Sequence, residues 1–197
     1  MALPQSLGTG LKEWASVCRA LEEGRQVLLL RKGGISESAG EFEVETPQFV
    51  LFPTFLHQNV KMLKDAEHAG FAPASAEPAT LTLSSAASVT DVIRLQSRGQ
   101  MDELEEEHIW TAPLIDMRFD YRPEKPLYLL LLRVYRLGEV VTVENTPDYA
   151  GCKSWVPLEE EIQIGGAGAV LDDVKYEVAR QRIMGVLRAE GGVESAE

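Results

Sequence analysis

Histidine and cysteine are scarce, with three and two in 197 residues. Two cysteines, Cys18 and Cys152, make no disulfide framework. His57, His68, His108 and the two cysteines show no pairing at zinc-ligand spacing. No metal and no cofactor are therefore expected. Long apolar runs are also missing. The longest, Leu127 to Leu132, is strand-sized and meets Arg133 at once, whereas a bilayer span needs ~20 residues. No membrane partner is expected. The opening MALPQSLGTG lacks the charged and apolar regions of a signal peptide, so a cytoplasmic location is the expectation. Positive charge is short too: 19 Lys and Arg stand against 31 Asp and Glu, a net charge of −12. That excludes a broad DNA-wrapping surface. No GxxxxGK[ST] phosphate loop, internal repeat or low-complexity tract is present.

The acid is unevenly spread. Residues 10–64 carry seven basic and seven acidic side chains, and residues 111–155 carry six of each. The excess lies in 65–110 and 156–197. Two neutral, arginine-bearing blocks thus alternate with acidic ones, which leaves room for a local basic face.

Hydropathy patterning predicts α+β: a mixed, mostly antiparallel sheet able to curl into a small barrel, with flanking helices and a C-terminal amphipathic helix. Residues 1–9 read as disordered. Leu11, Trp14, Ala15, Cys18 and Leu21 recur at helical spacing, so Gly10 to Glu23 reads as a helix stopped by Gly24. Arg25 to Arg31 and Phe49 to Phe52 read as buried strands, with Gly33-Gly34 turning the chain into a polar loop, ISESAGE. Phe42 and Val44 alternate with Glu41, Glu43 and Glu45 as a half-buried strand. Gln58 to His68 reads as a helix, Ala72 to Pro78 as a loop, and Thr80 to Leu83 and Val89 to Leu95 as strands. Gly99 to Glu107 reads as a short acidic helix with Met101 and Leu104 inward, and Leu114 to Phe119 as a strand. Leu127 to Leu137 is the longest predicted strand, Pro147 to Gly151 a turn, and Lys153 to Leu158 the last strand. Residues 9–164 form the expected single domain. Residues 165–197 form a glycine joint and a helix, Leu171 to Arg188, with Val174, Val178, Ile183 and Leu187 on its inner face, packed on or beside that domain.

The candidate ligand-binding residues are cations and aromatics at element ends. Arg31 and Lys32, beside Gly33-Gly34, suit a phosphate or carboxylate. Thr54 is placed to cap a following helix, with His57 and Gln58 in its first turn. Arg118 and Arg133 lie on strong apolar segments, where an inward arginine needs a carboxylate or a ligand anion. Trp155, with Trp110 and Tyr149, offers a stacking wall. Glu43, Glu45, Lys32 and His57 form a second set, suited to a metal-dependent nuclease. Cys152 beside Lys153 has no assigned base and reads as structural. No catalytic residue is assigned.

Five blocks, GRQVLLLRKGGI, FVLFPTFLHQ, EEHIW, PLYLLLLRVYRL and AGCKSWVPL, occur in this order. Through them the chain, over roughly residues 9–160, resembles the bacterial domain of unknown function 1802. Members of that family accompany restriction-endonuclease-type domains, so the resemblance implies an accessory role in DNA restriction with a restriction-type protein partner. A second similarity is to ASCH-type domains of the PUA-like barrel group, which carry a tryptophan-bearing helix and Gly-x-Lys-x-x-Glu-x-Arg running into a strand. Gly24 and Arg31 match; Gln26 and Leu29 stand where the Lys and Glu would be. That similarity implies a PUA-like barrel with a cleft for RNA or modified bases. Three functional expectations remain open. One is a nucleic-acid or nucleotide-binding module using Arg31, Lys32, His57, Gln58, Arg118, Arg133 and Trp155. Another is a metal-dependent nuclease or hydrolase. The last is a non-enzymatic interaction domain that docks through its acidic and C-terminal helices.

Overall fold

Gly10 sits in the middle of the first strand because nothing larger fits there: a Cβ would lie 3.2 Å from both the Phe52 ring and Val156 Cγ2. In the computed structural model, which describes residues 3–32, 35–38, 41–44, 46–71, 74–151 and 153–189, this glycine lets β1 (Ser6–Trp14) run between two neighbours. It pairs in parallel with β5 (Gln48–Thr54) and antiparallel with β8 (Trp155–Gln163). Residues 6–9 of the segment expected to be disordered, and the first third of the expected helix, are thus strand. Leu11 and Trp14 suit either period, and the pairing partners decide it. The helix α1 (Ala15–Glu22) begins only after Trp14. It ends as expected at Gly24, whose φ of 69° brings the Arg25 amide to the Ala20 carbonyl at 3.0 Å.

The main sheet runs in the order β2 (Leu28–Arg31), β7 (Tyr128–Glu144), β6 (Thr80–Arg94), β5, β1, β8, and β9 (Gly168–Ala169) adds to β7. Among the described residues the hydrogen-bonded path is open, from β2 to β8, so the strands do not close a barrel. Among the described residues the one parallel pair is β1 with β5, and the other pairings are antiparallel. The fold is α+β with a mostly antiparallel sheet. A separate ribbon pairs β3 (Ile35–Ser38) with β4 (Glu41–Val44), so part of the expected polar loop is strand. The two expected strands of 80–95 are one long β6, interrupted only by irregularities at Leu83/Ser85 and Val89/Asp91.

Leu129 to Leu132 of β7 are fully buried, each side chain contributing about 1.5–3 kcal/mol on removal from water. They share a core with α1, with Phe49 and Leu51 of β5, and with Tyr176, Ile183, Met184 and Leu187 of α4 (Asp173–Ala189). The inner face of α4 therefore differs from the expected one: Val174 and Val178 are 74% and 56% exposed. Tyr176 takes the inward position instead, its hydroxyl bonded to Thr90 Oγ1 at 2.5 Å.

Two more segments differ. Residues 58–68 form 3-10 turns, Val60–Met62 and Asp65–Gly70, rather than a helix. Asn59 Oδ1 caps the first turn, and Lys64 and Met62 exchange backbone bonds with Ile109 and Thr111. That cross-chain pairing competes successfully with local helix propensity. Residues 114–119 belong to a helix, α3 (Ala112–Asp120), with Pro113 in its first turn, where proline's fixed φ favours a helix start. The acidic segment shortens to α2 (Gly99–Asp102) and a 3-10 turn, with Met101 and Leu104 buried as expected. The Gly33-Gly34 turn, Glu45, Cys152 and residues 190–197 lie outside the described residues. No helix among those described is long and apolar enough to cross a membrane.

Candidate functional site

Because β1 and β5 run parallel, their C-terminal ends emerge on the same side of the sheet. A cleft of about 780 Å³ opens there, a size suited to a small ligand. Lys12, Glu13 and Trp14 of β1 line it, with Phe52, Thr54 and His57 from β5 and the turn beyond. Arg31 comes from the end of β2, Arg118 from α3, and Tyr149, Lys153 and Ser154 from the connection between β7 and β8. The cleft thus joins residues from both ends of the chain.

Arg31 forms the floor. It is 8% exposed and donates from Nη2 to Glu13 Oε2 at 2.9 Å and to the Lys12 carbonyl at 3.0 Å. Burial lowers its pKa; Glu13 opposes that shift and the positive charge of Arg118 adds to it. Glu13 Oε1 accepts from the Trp14 amide at 2.9 Å, so both carboxylate oxygens are engaged. Four buried side-chain nitrogens among the described residues have no hydrogen-bond partner: Arg31 Nε, Arg118 Nε, His108 Nε2 and Trp155 Nε1. The first two belong to the lining of this cleft. An unpaired buried donor is costly, and two of the four belong to side chains that line this one cleft.

The rim is held by its own bonds. The Lys12 ammonium donates to the carbonyls of Tyr149 and Gly151. Thr54 Oγ1 donates to the Glu13 carbonyl at 3.1 Å, tying β5 to β1 instead of capping a helix. The Glu77 carboxylate accepts the Phe55 and Leu56 amides at 2.9–3.1 Å. The next residue, His57, has φ 64°, a left-handed conformation uncommon outside glycine, and projects exposed at the cleft edge. Phe52 and Tyr149 meet edge to face at 5.2 Å beside it.

Of the residues singled out from sequence, Arg31, His57 and Arg118 converge here. Lys32, Gln58, Arg133 and Trp155 are not among the lining residues. Lys32 Nζ donates to the Phe119 and Arg122 carbonyls at 2.8 and 3.2 Å, closing the C-terminal end of α3. Arg133 pairs with Asp173 at 2.5 Å and covers the Tyr176 ring at 4.9 Å, which docks α4. Trp155, partly buried, packs edge to face on Phe49 at 5.2 Å, against the core. Gln58 Oε1 accepts from the Ser16 amide and hydroxyl at 3.1 and 2.9 Å, capping α1 from across the fold. Gln58→Ala should cost about 0.5–2 kcal/mol, as for a lost N-cap, visible as a lowered urea midpoint with unchanged slope. A midpoint equal to wild type would show that the cap is not needed.

Sequence reasoning missed Lys12, Glu13, Trp14 and Glu77. In sequence the first three fall within a helical pattern, and the usable signal is Gly10, a strand-breaking residue that here marks close backbone approach. Among the described residues no group of three His, Cys, Asp or Glu side chains is placed to hold a metal ion.

No curated protein matches the chain. A crystal structure of an ASCH mutant protein from Zymomonas mobilis aligns at 11% identity and a TM-score of 0.46, over 80% of this chain and 92% of that one. The family model described as domain of unknown function (DUF1802) matches residues 10–182, running past residue 160 into α4. The chain belongs to the DUF1802 family.

Proposed function

We propose that the cleft binds a nucleotide unit, making this chain a nucleic-acid or nucleotide-binding accessory module. The observation that carries the reading is that buried Arg31 and half-buried Arg118 line the same opening, each with a buried, unpartnered Nε. Arginine's planar fork suits phosphate oxygens, and the partly exposed ring of Trp14 in the same lining suits a base. The acidic total charge confines this to a local site rather than a long electrostatic track. In this reading the protein works in the bacterial cytoplasm beside a restriction-type partner, as its family resemblance implies.

Mononucleotides and short single strands at millimolar concentration should raise the melting temperature by several degrees, since ligand at 100 times Kd adds about 2.7 kcal/mol. Arg118→Ala should abolish that rise while leaving the unliganded protein as stable or slightly more so, because a like charge beside Arg31 is removed. A flat response to every nucleotide in wild type would overturn the proposal. So would a response that Arg118→Ala leaves intact.

A further inference from the structure

We infer that the cleft takes a phosphomonoester, carried by a mononucleotide or by the phosphorylated end of a strand, in preference to an internal phosphodiester. The inference rests on the nucleotide reading above and specifies its ligand.

The first support is charge. The two acidic side chains in the lining are already committed, Glu13 to Arg31 and the Trp14 amide, Glu77 to the Phe55 and Leu56 amides. Arg118 has no hydrogen bond or ion pair among the described residues, its Nε is buried, and its charge is felt by Arg31. Lys153 adds a second cation at the exposed rim. A phosphomonoester brings about −1.5 to −2 charges at pH 7 and three terminal oxygens. A diester brings one charge and two such oxygens.

The second support is depth. Arg31 lies at the floor with 8% exposure. A terminal phosphate can be inserted end-on, followed by one sugar and one base against the aromatic lining. An internal phosphate reaching the same guanidinium would have to drag both flanking nucleotides into about 780 Å³. The third support is the net charge of −12, which repels a polyanion laid along the protein and favours approach by an end.

The test compares one labelled short single strand with a 5′-phosphate, a 3′-phosphate or hydroxyls at both ends, by fluorescence anisotropy. Adenosine, adenosine 5′-monophosphate and inorganic phosphate serve as competitors. A phosphorylated end should bind at least about tenfold tighter than hydroxyl ends, the worth of one charge-assisted hydrogen bond. The advantage should shrink below pH 6 as the monoester gains its proton. Arg118→Ala should erase it and Arg118→Lys should keep part of it. Adenosine 5′-monophosphate should compete better than adenosine or inorganic phosphate. Equal binding of phosphorylated and hydroxyl ends overturns this inference and leaves nucleotide binding standing. Inorganic phosphate competing as well as the nucleotide overturns the nucleotide as the source of the phosphate. No binding by any strand or nucleotide overturns both readings.

Discussion

Glutamine in place of Glu13 is expected to destabilise the protein by about 3–5 kcal/mol, the usual cost of removing one partner of a buried ion pair. For a chain of this size that is a fall in Tm of roughly 6–20 °C. Glu13 and Arg31 have side chains only 5% and 9% exposed and meet at 2.9 Å. The amide of glutamine would keep an acceptor for the Trp14 N–H but no negative charge. Two guanidinium groups, Arg31 and Arg118, would then face each other without a counter-charge. Urea unfolding gives the measurement. The double variant Glu13→Gln/Arg31→Met should recover much of the loss, because the guanidinium left buried without its counter-charge is then removed as well. A single-variant loss below about 1 kcal/mol, the range of exposed pairs, would show that Glu13 is not the carboxylate that balances the cleft floor.

Acid should weaken the fold through His108. This side chain is 6% exposed, stacks on Trp110 at 5.2 Å and accepts the Trp110 amide on Nδ1 at 3.2 Å. Its pKa is pushed down to about 4, chiefly by burial, with Lys64 adding to the shift and the Met101 carbonyl opposing it. The folded protein therefore keeps His108 neutral, while the unfolded chain protonates it near pH 6.5. Between those values the unfolded state binds the extra proton, so stability falls as pH falls. The gap between 6.5 and about 4 amounts to about 3 kcal/mol. Most of that loss should occur between pH 6.5 and 4.5. His108→Gln, which retains an acceptor for the Trp110 amide but does not titrate, should flatten this part of the profile of urea midpoint against pH. An unchanged slope in the variant would place the acid sensitivity elsewhere.

The parts legible in the sequence are those whose signal is local. The LLL of β2 and the FVLF of β5 are unbroken apolar runs, and both are buried strands. Gly24 ends a helix because its conformation is a property of one residue. The arginines Arg31 and Arg118 stand out because a cation within apolar surroundings demands an explanation. The parts not legible depend on contacts far apart in the chain. Lys12 to Trp14 join the cleft only because β1 pairs with β5 and β8. Gln58 resembles a site residue and is a cap for a helix 42 positions earlier. Arg133 resembles an anion ligand, and its anion turns out to be Asp173 of α4. In residues 114–119 the alternation of LIDMRF imitates a strand, and Pro113 outweighs it.

The pairing of β1 with β8 also sets a timetable. Leu11 and Trp155 are register partners, so β1 leaves the ribosome with one of its neighbours still untranslated. At roughly 5–20 residues per second the wait is on the order of ten seconds. Pairing with β5 comes sooner and protects one edge. The other edge, bearing Ser6 to Leu11, stays open until β8 arrives, a hazard for wrong pairing on crowded ribosomes. The cleft residues of 145–154 are made in the same late interval, so a nascent chain lacks one wall of the cleft until residue 154 has been added.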